Sequence, residues 1–215
     1  MRRVVCGVGI NDANYLIVKK EQYIGPDGSI KIKKTTCPFY RAWADMLSRC
    51  YREKYHKVFP SYKDCSVCEE WNSFTNFKKW MEQQDYKDNV LDKDLKVTGN
   101  KVYGPETCLF ISPKVNGYLI IKHGRNTSGL IGASYQTTSK QRNKWISSCS
   151  QLNGKNKTLG RFATALEAHL AWCKFKAEMG KELIKEQNQE LVIQAIQGFV
   201  NNLELCANNG TPFKP

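Results

Sequence analysis

No Asp or Glu occurs between Glu106 and Glu167, a run of sixty residues that carries nine Lys or Arg. Whatever this stretch folds into must turn a surface of one charge sign toward solvent, because basic side chains are almost never fully buried without a partner. Such a surface makes a strong local field, and the commonest partner of a positive field is a phosphate backbone. The whole chain leans the same way, with a net charge of +13 over 215 residues. Hydrophobic residues at 41 %, with five Trp, nine Phe and ten Tyr, suffice for packed cores, so one large or two small domains are expected.

An anionic membrane is the weaker partner. No apolar run is long enough to span a bilayer, and Met1-Arg2-Arg3-Val4 shows no signal-peptide pattern. Nine cysteines, an odd number without a dense framework, read as mostly reduced, so a cytoplasmic location is expected.

Turn and cap signals divide the chain. Residues 1–36 are broken by Gly7, Gly9, Gly25, Pro26 and Gly28 and read as an irregular arm or small ribbon, with a hairpin turn at Pro26-Asp27-Gly28. A helix starts at Pro38 and repeats Phe39, Trp43, Met46, Leu47 and Cys50 on one face. Residues 56–66 read as loop. Ser73 caps a second helix to about Gln84, with Phe74, Phe77, Trp80 and Met81 inward. Then come a strand over Val90 to Leu95, a loop over Lys96 to Glu106, a strand over Thr107 to Ile111, and a helix from Ser112-Pro113 to about Ile121.

After a polar linker at His123 to Ser128, strands are expected at Ile131 to Gln136, Lys144 to Ser150 and Thr158 to Phe162, with a tight turn at Asn153-Gly154. Thr164 to Glu167 is a capping box opening a helix with Ala168, Ala171, Trp172, Phe175 and Met179 on one face, closed by Gly180. A last helix over Lys181 to Leu205 carries Leu191, Ile196, Phe199, Val200 and Leu203. Its apolar face packs on the same chain, with a homodimer seam as the alternative, and Cys206 to Pro215 is expected to fray. The fold class is α+β.

The order strand, loop, strand, helix bears on chemistry. A metal-dependent nuclease needs a hard cation held by oxygen ligands, with room for phosphate and water, and a base to activate that water. Asp92 in the first short strand offers a carboxylate, and Asn116 on the first helical turn offers an amide oxygen. Asn100 can fix the loop by bonding backbone groups.

The strings CPFYRAWADMLSRCY, SYKDCSVCEEWNSFTNFKKWM and LDKDLKVTGNKVYGPETCLFISPKVN resemble the HNH endonucleases of phages and mobile introns, whose fold is the ββα-metal unit. The resemblance covers residues 37–121 and implies a nuclease domain over 37–122. It implies that Asp92 and Asn116 are ligands of Mg²⁺ or Mn²⁺, that Asn100 is the loop residue, and that double-stranded DNA is the substrate. One position departs: Lys93 stands where the family has its general-base His. A lysine at its ordinary pKa is protonated and cannot accept a proton, so Lys93 is either a base made competent by burial or a phosphate clamp. Asp94 is a substitute base, and His56 and His123 lie outside the motif. Lys93 also favours the alternative of an inactive HNH-fold DNA-binding scaffold.

The CxxC of Cys65 and Cys68 could form a Zn²⁺ site with Cys50 and Cys108. Without a second CxxC, small buried hydrophobes are the preferred reading.

The strings GLIGASYQTT, RNKWISSCSQLNGKNKTLGRF and TALEAHLAW resemble the APETALA, or ethylene-response-factor, DNA-binding domain, over residues 129–180. Gly132, Trp145, Leu159-Gly160, Phe162 and Glu167-Ala168 carry the match. The resemblance implies a three-stranded sheet read into the major groove and braced by a helix; the C-terminal helix and tail at 181–215 lie beyond it. From the residues themselves, Arg142, Lys144, Lys155, Lys157 and Arg161 are the expected phosphate or base contacts. Tyr135 and Trp145 either touch DNA or belong to the core. An RNA partner ranks lowest, for want of aromatic RNP-type strings.

Overall fold

The computed structural model describes residues 3–97, 99–121, 128–137 and 142–214. The chain is of mixed α+β class and divides into two compact units, Met1–Ile111 and Ser112–Pro215. Lys122, His123, Arg125, Lys140 and most of the expected polar linker lie outside the described residues.

The first unit opens on two hairpins, more regular than the glycines suggest. Strands β1 (Arg3–Val5) and β2 (Gly9–Asn11) pair antiparallel. Strands β3 (Val18–Ile24) and β4 (Ile30–Thr36) form a longer antiparallel ribbon around the expected turn. Helix α1 (Pro38–Tyr51) begins on its proline and buries Trp43, Met46, Leu47 and Cys50. The expected loop after it holds a short helix, α2 (Glu53–Val58), and a 3-10 turn at Pro60–Tyr62. Strand β5 (Ser66–Val67) and a second 3-10 turn lead to α3 (Phe74–Met81), where the Ser73 hydroxyl accepts the Asn76 N–H as cap. Asp12 strengthens that start by accepting from the Ser73 hydroxyl at 2.6 Å and the Thr75 N–H at 2.8 Å.

The core of this unit is aromatic. Trp43, Trp71, Phe74 and Phe77 are fully buried, and the Trp43 indole N–H donates to the Trp71 carbonyl at 2.7 Å. Strands β6 (Val90–Asp92), β7 (Val102–Tyr103) and β8 (Leu109–Ile111) close the unit. β6 pairs antiparallel with β8, with Asp92 opposite Leu109, and β7 pairs parallel with β5. The expected loop thus holds a short strand of its own.

The second unit starts with α4 (Pro113–Leu119), capped by Ser112 as its Ser-Pro start predicts. Strands β9 (Ala133–Tyr135), β10 (Trp145–Ser150) and β11 (Asn156–Phe162) form an antiparallel sheet with β10 in the centre. Helix α5 (Ala165–Ile184) covers one face, and its capping box between Thr164 and Glu167 is formed in full. Gly132 has φ +76°, and a Cβ there would run into the Trp172 indole, so sheet and helix meet at a backbone position with no side chain.

Two expectations about the end of the chain are corrected. Gly180 does not close α5, which runs on to Ile184. A Cβ at Gly180 would collide with the Tyr118 hydroxyl and Val200, so the glycine lets α4 and the last helix approach α5. That helix, α6 (Glu190–Asn209), buries Val192, Ile196, Val200 and Leu203 against its own chain and leaves Leu191 exposed. It ends at Gly210, φ +65°. Beyond it Phe213 is buried, and its N–H donates to His169 Nε2 at 2.9 Å, so this end packs rather than frays.

Candidate functional site

In the first unit the loop between β6 and β7 gathers four of the expected site residues. Asp92 ends β6 half-buried, and burial raises its carboxyl above the usual carboxylate range. Its Oδ1 accepts the backbone N–H groups of Asp94 at 2.9 Å and Leu95 at 2.8 Å, which is why the strand stops there. Asn100 meets the expectation that it fixes the loop: its amide donates to the carbonyls of Lys93 and Val102 and its oxygen accepts the Val102 N–H.

Lys93 is a buried lysine, 6 % exposed. Its ammonium donates to Asp94 Oδ1 and, at 2.8 Å, to the Asn100 carbonyl, above the Tyr103 ring. Those bonds make it a staple between the two ends of the loop. A general base offers a lone pair, and a phosphate clamp offers an open charge. Lys93 is placed for neither, and Asp94 spends an oxygen on it. His56 sits on α2, bonded to the Arg49 carbonyl at 2.8 Å. Asn116 lies half-buried on the first turn of α4, so it belongs to the second unit while Asp92 belongs to the first.

The chemistry of this loop fits a hard cation through one ligand. Asp92 Oδ1 is held by two N–H groups, and Oδ2 takes no hydrogen bond among the described residues. Mg²⁺ is commonly held by one or two carboxylates, with substrate phosphates and waters completing its shell. No three His, Cys, Asp or Glu side chains among the described residues gather as a metal-holding group. Cys50, Cys65 and Cys108 are buried in the aromatic core and Cys68 packs against it. Burial pushes the Cys50 thiol up to about 12 and the Cys108 thiol up to about 11.

In the second unit the strand register sorts the expected DNA contacts. Ala133, Ser147 and Cys149 are buried toward α5, so residues opposite or two apart from them share that face. Trp145 and Tyr135 therefore lie on the helix side, paired edge to face with ring centroids 5.0 Å apart, and Phe162 is opposite Trp145. Lys157 is on that side too, opposite Cys149, with its ammonium over the Phe175 ring at 4.8 Å. Arg161 is on the other, open face, opposite Ile146. Lys155 sits in the turn leaving β10, and Arg142 and Lys144 in the segment entering it, so basic groups mark both ends of the central strand.

Charge alone does not mark what fills the open face. Ser134, Ser148, Ser150, Thr158 and Asn156 all lie there, exposed, around Ile146 and Arg161. The signal was present as serines and threonines alternating along the strands. Also unmarked is Lys176 on α5, 7 % exposed, on the wall of a cavity of about 660 Å³. Its ammonium lies over the Tyr118 ring at 4.4 Å, no acceptor bonds it among the described residues, and burial lowers its pKa.

Comparisons with family models, with curated proteins and with solved structures return no match for this chain.

Proposed function

We propose that the chain is a divalent-metal-dependent endonuclease of the phage homing type, acting on double-stranded DNA. In this reading residues 37–122 are an HNH-like unit and residues 129–180 an ethylene-response-factor-like DNA-binding domain. The observation that carries the reading is the loop at the end of β6, which presents one oxygen of Asp92 while tying the other to the backbone. A carboxylate that is half-buried and raised by burial gains most when a cation arrives. The open face of the second-unit sheet supports the DNA side. Its hydroxyls and Arg161 can meet base edges or phosphates, and no carboxylate lies in the sheet to repel them.

Mg²⁺ or Mn²⁺, when bound, would polarise the scissile phosphate and stabilise the leaving oxygen. Asp92, in the first unit, is the residue proposed to hold it. Lys93 and Asn100 hold the loop in shape, so that Asp92 is not free to turn away. The base that takes the proton of the attacking water is not Lys93, whose ammonium is already engaged.

That same engagement favours a second reading, in which the unit is an inactive scaffold and the chain only binds DNA. Incubation with supercoiled plasmid and Mg²⁺ or Mn²⁺ separates the two. Asp92→Asn keeps an acceptor for both N–H groups, so its fold is retained while a charged ligand is removed. The endonuclease reading expects nicking by wild type and a loss of at least about 100-fold in Asp92→Asn. Binding without nicking under either ion establishes the scaffold.

A further inference from the structure

The β3–β4 ribbon has no place in the mechanism above, and its composition is odd for a surface hairpin. Every residue of β3 is exposed, and the two strands form a sheet of their own with both outer edges unpaired. A two-stranded hairpin alone in water is marginally stable at best. This one nevertheless exposes three isoleucines on one face near its tip, Ile24 at 77 %, Ile30 at 74 % and Ile32 at 56 %. It also carries five lysines against two carboxylates between Val18 and Thr36. Asp27 pairs with Lys31 at 3.2 Å, and Glu21 stands opposite Lys33 in the register, so Lys19, Lys20 and Lys34 lie toward the base with no carboxylate opposite them.

We infer that this ribbon is a second DNA-binding element, lying in the major groove with its isoleucine face on the base edges and its lysines on the flanking phosphates. The inference rests on the DNA-binding reading and adds a site in the first unit. Dimensions agree. The major groove admits a two-stranded ribbon, and seven residues per strand reach about 23 Å, close to seven base-pair steps. Apolar side chains there can meet thymine methyls. Charge selects among occupants. Lysines leave both faces, Lys20 and Lys34 on the isoleucine face and Lys19, Lys31 and Lys33 on the other. A ribbon lying on a bilayer would instead keep charge and apolar groups apart. Lysines along the strands also discourage pairing with another strand, so a second copy of the chain fits less well.

The test uses the full chain, a duplex of about 30 base pairs and a salt titration. Lys19→Ala/Lys20→Ala/Lys34→Ala removes up to three phosphate contacts, so affinity should fall at least about tenfold near 0.1 M salt, and the slope of log K against log salt should flatten by about 2 to 3. Ile24→Ser/Ile30→Ser/Ile32→Ser should weaken binding at unchanged slope. None of these residues joins the core, so an unchanged thermal midpoint certifies the fold. If wild type binds and the lysine variant matches it in affinity and slope, the ribbon inference is overturned while the sheet's role stands. If wild type does not bind duplex, the DNA reading fails and takes the ribbon with it. Ribbon-dependent binding to phosphatidylserine vesicles in preference to duplex, or a dimer in sedimentation that the isoleucine variant abolishes, would also overturn it.

Discussion

Lys176 is a buried charge that no acceptor bonds among the described residues. Burial disfavours its protonated form, and its ammonium lies over the Tyr118 ring, an interaction worth about 2 kcal/mol when desolvated. Its folded pKa is depressed below 10.5, so the folded state holds this proton less tightly than the unfolded chain. The contribution to stability is therefore complete above the unfolded value and is lost as pH falls through the folded one. Wild type should gain stability on going from pH 7 toward pH 10, and Lys176→Met should lack that part of the rise. At pH 7 the variant should be the more stable by about 1 kcal/mol, read from urea midpoints. Lys93 is buried as well, but its ammonium has Asp94 and the Asn100 carbonyl, so Lys93→Met should destabilise instead.

Elements were more legible than faces. The caps at Ser73, Ser112 and Thr164 mark the starts of α3, α4 and α5, because a hydroxyl that accepts a backbone N–H is a local event written in adjacent residues. Gly180 misled because a helix-closing glycine and a helix-packing glycine look alike until the neighbour across the gap is known. The same ignorance shifted the face of α5. Ala168 and Trp172 are buried as the spacing indicates, but Ala171, Phe175 and Met179 are only half-buried, whereas His169, Cys173, Lys176 and Ala177 are buried. Those carry polar atoms or little bulk, and what draws them in is α6 and the chain end, which no local pattern reports. The site was legible in part for the same reason. Asp92 and Asn100 act on backbone within their own loop and could be foreseen, while the burial of Lys93 depends on Tyr103 and on the loop's return. Phe213 tests the non-local part. Phe213→Ala should cost about 3 kcal/mol in thermal or urea unfolding, although it lies beyond the last helix.

At the scale of the whole molecule the charge imbalance outlasts any single contact. With a net charge of +13, binding to duplex should weaken steeply as salt rises. Arg161→Ala and Lys155→Ala should each lower affinity without unfolding the chain, measured by fluorescence anisotropy. Only Arg161, on the open sheet face, should also relax discrimination between sequences, by about 1–3 kcal/mol if it reads guanine. Lys157→Ala, over Phe175 on the helix side, should change binding least. A last consequence concerns His169. Its Nδ1 meets the Ile131 carbonyl at 2.7 Å and its Nε2 takes the Phe213 N–H, so this ring bears its own proton on the side of Ile131. A single imidazole thereby buckles the stretch that leads into the sheet to the segment that follows α6. Pulling on either strap would slacken the other.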